Sequence, residues 1–168
     1  NSLPKGEPFD LVSTFIEPMV GFGICNHAGF DEIDHPRVMS WGRVVTNIFV
    51  GLDAADQDTA GDQFKAMFDH LDEVIAGRRS TPQDKVIDHL IAAHNDGKMS
   101  YKELSAMIGN IVTGGYGTTQ HALAWLTWYL LNLPETLAQV RADPTLIEAA
   151  RKEILRMEPP VEGTFRTA

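Results

Sequence analysis

The residues best equipped for chemistry lie together, in Thr113-Gly114-Gly115-Tyr116-Gly117-Thr118-Thr119. This run sits in the middle of the longest apolar segment of the chain, Leu104 to Leu131, whose flanks read as one long helix. An interior glycine costs up to about 1 kcal/mol relative to alanine, and threonine is stiff at χ1. The middle of a strong helix is therefore its weakest point. Two readings follow. In one, the small residues let another helix pack closely, and the threonine hydroxyls bond back to the preceding turn. In the other, the hydrogen-bond ladder opens and leaves a groove for a flat or bulky ligand, with a threonine hydroxyl facing it. Rule-breaking inside a well-made element is where function tends to sit.

Other candidates are thinner. Glu153 and Arg156 form Glu-x-x-Arg, by itself an ordinary i,i+3 helix pair. Arg166 follows the Pro159-Pro160 break and alone would be a surface arginine. Cys25 is the only cysteine, so neither an internal disulfide nor a cysteine zinc cluster can form. It reads as a small buried apolar residue. His27, His35, His70, His89, His94 and His121 show no ligand-like pairing and suit solvated or capping roles.

Positioning these residues takes about seven helices and almost no sheet. Phe9 to Val12 is a short β-favouring run that suits an edge strand. A helix over 13–28 is weakened by Pro18, and a second runs from Pro36 to Val50. Residues 53–58 read as an acidic loop before an amphipathic helix from Thr59 to Arg79. Thr81 and Pro82 are placed to open the next helix, and Asn95 to Lys98 form a turn. Ser100 with Glu103 makes a capping box at the start of the long helix. Pro134 and Asp143-Pro144 open two shorter helices, and Pro159-Pro160 ends the last. Trp125, Leu126, Trp128 and Tyr129 read as core around the long helix. Thr164 to Thr167 suits the start of a strand.

The chain has 168 residues, 43% hydrophobic and 22% charged, enough for one domain with a real core. Its net charge of −9 disfavours nucleic acid and anionic membrane as partners. No apolar run reaches a membrane span of roughly 18–20 residues, and the opening Asn1-Ser2-Leu3-Pro4 is no signal peptide. A reducing, cytoplasmic setting is expected. The chain does not begin with Met and opens on a Pro/Gly-rich strip.

The two motifs gain meaning from their separation. GGYGTT, a proline-initiated helix NLPETLAQVRADP, Glu153-x-x-Arg156 and a Pro-Pro break together resemble the cytochrome P-450 superfamily of haem-thiolate monooxygenases, in its soluble bacterial type. The resemblance is densest over 100–168 and extends upstream through Phe9-Asp10-Leu11-Val12. It implies an all-α, mainly helical fold, with one long central helix and at most short edge strands. Residues 1–168 would form a single domain, a fragment of the larger family domain that lacks the cysteine-ligand loop. Haem would be the cofactor, a ferredoxin- or flavodoxin-type protein fed by NAD(P)H the electron donor, and a small apolar molecule the substrate. In the family the long helix crosses one face of the haem. Gly114 and Gly115 match the positions of close approach, and Thr118 the hydroxyl that helps deliver protons for O–O cleavage. The residue before that threonine is usually an acid. Here it is Gly117, so proton delivery is expected to go through water, Thr119 or Tyr116, or to be slow. Glu153 and Arg156 match a structural ion pair, Arg166 a propionate-binding arginine, and Ile111, Val112, Val161 and Phe165 the substrate pocket. Cys25 lies on the wrong side of Glu-x-x-Arg to ligate iron, so no metal ligand is expected in this chain. Without its missing parts, the chain is expected to expose apolar faces of the long helix and to self-associate or swap helices.

Overall fold

The computed structural model describes residues 3–49, 54–161 and 163. Among them the regular structure is helical throughout. A π-helical turn Val12–Ile16 leads into α1 (Glu17–Ala28), and a 3₁₀ turn Glu32–Asp34 into α2 (His35–Phe49). Then come α3 (Ala54–Ser80), α4 (Val86–Asn95), the long α5 (Tyr101–Asn132) and α6 (Pro134–Ala142). A 3₁₀ turn Pro144–Leu146 precedes α7 (Ile147–Met157). No helix of the described residues is long and apolar enough to cross a membrane.

Three local expectations are corrected. Phe9 to Val12 is not a strand. Asp10 caps the π-helical turn instead, its Oδ1 accepting the Val12 amide at 2.8 Å. The wide turn has a cause next door: Pro18 has no N–H and its ring crowds the carbonyl four residues back. The Glu17 amide reaches back to the Val12 carbonyl, and the chain enters α1 already widened. Residues 54–58 are helix rather than loop, α3 starting on the strong helix formers Ala54 and Ala55. Thr81 does not cap α4. Asp88 draws the amides of Gln83 (3.0 Å) and Lys85 (2.8 Å) onto its Oδ2, and the helix begins at Val86.

The turn at Asn95 to Lys98 forms as expected, with Gly97 at φ +74° and its amide donating to the His94 carbonyl at 2.9 Å. The capping box is also present. Ser100 N–H donates to Glu103 Oε2 at 2.8 Å, and Glu103 N–H to Ser100 Oγ at 3.2 Å.

The described chain divides into two compact units, Pro18–Gly117 and Asn1–Glu17 with Thr118–Ala168. The larger unit has a continuous apolar core. Cys25 and Ala28 of α1, Val38 and Trp41 of α2, Met67, Leu71 and Ile75 of α3, and Ile87 and Ile91 of α4 close on Leu104, Ile108 and Val112 of α5. These α5 residues recur every four positions, the buried stripe of a helix. Tyr116 continues it, buried against Gly42 of α2. In the smaller unit, Ile16 and Ile154 are buried. Tyr129 O–H donates to Glu158 Oε1 at 2.9 Å, tying the late part of α5 to the residue that ends α7.

Candidate functional site

α5 is one continuous α-helix through residues 113–119, so the expected opening of its ladder is not present. Long helical flanks carry the weak turn, and the buried Tyr116 anchors it. The three glycines have different surroundings. A Cβ on Gly114 would meet only Asn110 Oδ1, at 3.7 Å, and Gly114 is exposed. A Cβ on Gly115 would meet Ile24 Cδ1 and Cγ1 at 3.5 and 3.6 Å. Gly114 therefore lies on an exposed face with only Asn110 beside it, whereas Gly115 stands beside Ile24 of α1. Gly117 and Thr118 are half-buried and Thr119 is exposed.

Ile111 and Val112 lie toward the core side of α5. Val112 is fully buried in the core and Ile111 packs against it, because both lie on or beside the stripe that begins at Leu104 and Ile108. Val112 has no exposed surface, whereas Ile111 is half-buried. Val161 is exposed after α7, while Arg166 and Phe165 lie outside the described residues.

Glu153 and Arg156 are paired as expected, through two charge-assisted bonds: Nη2 to Oε1 at 2.6 Å and Nε to Oε2 at 2.9 Å. Their side chains are 55% and 68% exposed. The arginine holds the glutamate carboxyl below its ordinary value, and the glutamate raises the arginine. Exposed to this degree, the pair adds little to stability.

Cys25 is completely buried, and burial, with a smaller contribution from Asp34, pushes its thiol up to about 11.

Trp125 and Trp128 are not core. Trp128 is half exposed, and with Trp125 and Tyr129 it lines a groove of about 830 Å³ in the smaller unit, opposite Phe9, Leu11, Val12 and Ile16. The rings brace one another, Trp128 and Tyr129 lying edge to face at 4.9 Å. At one end of the groove, Trp125 Nε1–H donates to His121 Nε2 at 2.7 Å. This pair went unread in the sequence, where its one signal is a His and a Trp four residues apart on a helix.

The match to known proteins decides the family. A model of the cytochrome P450 family matches residues 37–168. The chain belongs to the cytochrome P450 family. It is 33% identical over 159 residues to cytochrome P450 107B1 of Saccharopolyspora erythraea, covering 94% of this chain and 38% of that protein. It is 30% identical to luteothin monooxygenase of Streptomyces thioluteus, covering 98% and 41%. Among solved structures, the ligand-free form of cytochrome P450 TbtJ1 superposes with a TM-score of 0.80 at 29% identity, over 91% of this chain and 41% of that one. The chain thus spans about two-fifths of the length of the P450 relatives it matches.

The residues present fit one side of a P450 haem. At Gly114, which is exposed, a side chain would meet only Asn110 Oδ1 at 3.7 Å, and its absence suits the close approach of a flat ring. Thr118 lies one turn further along α5. A P450 haem would be held by a cysteine thiolate, and Cys25 is packed in the core of the larger unit.

Proposed function

We propose that a polypeptide carrying this chain and the remainder of the P450 fold is a haem-dependent monooxygenase. It inserts one atom of dioxygen into a small apolar substrate, with electrons from NAD(P)H through a ferredoxin- or flavodoxin-type donor. The observation that carries this reading is the exposed backbone of Gly114 one helical turn before Thr118, in a chain that belongs to the family.

In this reading α5 forms the wall on the oxygen side. Gly114 leaves room for the ring, and the Thr118 hydroxyl holds a proton at Oγ1 beside the place where negative charge develops on oxygen. The haem, when bound, supplies the redox chemistry of oxygen activation. Thr119 is a nearby hydroxyl donor, Val161 and Phe165 belong to the substrate surface, and Arg166 pairs with a propionate. Glu153 and Arg156 serve the fold rather than the reaction.

The visible spectrum of the reduced, carbon monoxide-treated protein tests this. A strongly red-shifted Soret band that persists in Cys25→Ser supports a thiolate haem whose ligand lies beyond these residues. No Soret band after haem reconstitution of the full-length polypeptide would overturn the reading.

A second reading applies to the 168-residue chain alone: a haem-free helical piece that self-associates. It is favoured by the exposure of Met107 (47%), Trp128 (52%) and Leu131 (63%) on α5, since large apolar surfaces are rarely left open on a soluble monomer. Light scattering after size exclusion decides it, and a stable monomer would exclude it.

A further inference from the structure

Gly117 leaves the site without the carboxylate its family usually places before the threonine. Inserting one oxygen atom and releasing the other as water (substrate–H + O₂ + 2H⁺ + 2e⁻ → substrate–OH + H₂O) consumes two protons. If the reading above holds, on which this inference rests, another group must bring them to Thr118.

Between Tyr116 and Tyr129, α5 carries one titratable side chain, His121. Tyr116 is buried in the core of the larger unit. His121 is exposed, three residues after Thr118 and four after Gly117, the two spacings that bring helix side chains together. Its orientation is set. The Trp125 indole can only donate, so the 2.7 Å contact makes His121 Nε2 an acceptor. The proton of the neutral ring then sits on Nδ1. Trp125 is itself fixed by edge contact with Trp128 at 5.7 Å and by Tyr129 at 5.9 Å.

The groove beside His121 is large enough for a file of waters. Its other titratable groups are engaged elsewhere. Asp10 accepts the amides of Val12 and Ser13, which hold its carboxyl below its ordinary value, and Glu158 accepts the Tyr129 hydroxyl.

We propose that His121 is the proton-relay residue of this site, passing its Nδ1 proton through water to the Thr118 hydroxyl in place of the missing carboxylate at 117. For each proton, Nε2 exchanges the Trp125 bond for a proton from groove water, and Nδ1 releases its own toward Thr118. The ring is left neutral, and tautomer exchange through water restores the Trp125 bond. No electron passes through the imidazole. The two electrons come from the donor of the proposed function and the protons from solvent. His121 acts through water and Thr118 and does not touch the reacting atoms.

Two measurements test this. Ring ¹⁵N NMR of the 168-residue chain should find neutral His121 protonated on Nδ1, with the Nε2 resonance moved by Trp125→Phe. A neutral ring protonated on Nε2 overturns the proposal. In the haem-loaded full-length protein, His121→Gln should lower product formed per NAD(P)H oxidised by roughly tenfold or more and flatten its pH profile. The carbon monoxide band and substrate affinity should not change, and Gly117→Asp added to His121→Gln should restore coupling. Unchanged coupling and pH profile in His121→Gln would overturn the relay while leaving the haem reading intact. A wild-type protein with no carbon monoxide band would overturn the proposed function and the relay with it, and the NMR result would then describe a structural pair.

Discussion

Gly42 of α2 lies so close to Tyr116 of α5 that a Cβ on residue 42 would stand 2.7 Å from Tyr116 Cδ1 and 2.8 Å from its Cβ, nearer still to Cγ. Real side chains do not approach so closely. The missing side chain at 42 is what lets the tyrosine ring reach the core, and the ring is what pins the weak turn 113–119.

Gly42→Ala is therefore expected to destabilise by about 1–3 kcal/mol, the usual range for overpacking, although alanine is the better helix former. Urea denaturation checks this. The effect should shrink in a Tyr116→Ala background, and a cost there equal to that in the wild type would show that the tyrosine is not the obstacle.

Adjacent glycines should behave differently. Gly115→Ala puts a methyl in ordinary contact with Ile24 and removes a helix-interior glycine, so it should be neutral or stabilise by up to about 1 kcal/mol. Gly114→Val should also fold, since the space before it is open, but should block the face. In the full-length protein it is expected to abolish the carbon monoxide-induced Soret band, whereas Gly115→Ala retains it.

Cys25 should resist thiol reagents at pH 8 in the folded chain and react at once in urea. Its thiol is about 9 in the unfolded chain and about 11 in the folded core, so the folded state keeps the proton. The stability it contributes is complete below about pH 9 and is lost as pH rises through about 11. A Cys25→Ala variant should lose the part of the alkaline fall in thermal midpoint that lies in this window. An identical fall would assign the window to other groups.

Arg78 and Asp88 are 5% and 8% exposed, with Arg78 Nη2 3.4 Å from Asp88 Oδ2. They link the end of α3 to the start of α4, and Gly29, at φ +104°, gives the guanidinium room. Removing the acid leaves a buried cation, so Asp88→Asn should cost about 3–5 kcal/mol. Arg78→Met should cost less, because the Gln83 and Lys85 amides still hold the carboxylate. Guanidinium midpoints for the two variants test the order, and the reverse order would place the main role of Asp88 in the helix cap.

Capping chemistry is local, and apart from Thr81 it was legible. Ser100 and Glu103 announce the start of α5, Asp143-Pro144 opens the turn before α7, and Pro159-Pro160 follows its end. The stripe Leu104, Ile108, Val112 is present in the spacing as well. Periodicity shows that a helix has a buried face, but the partner helices decide which residues fall on it.

By itself the sequence determined the helical class, the long helix with its weak turn, the pairing of Glu153 with Arg156 and the family, because these depend on residues near one another in the chain or on whole motifs. Only the tertiary structure decided which glycine faces open space and which packs on Ile24. It also paired Arg78 with Asp88, and turned Trp125 and Trp128 from core into the lining of a groove shared with His121. Those outcomes depend on which side chain of a distant helix arrives at each position, and no local spacing encodes that.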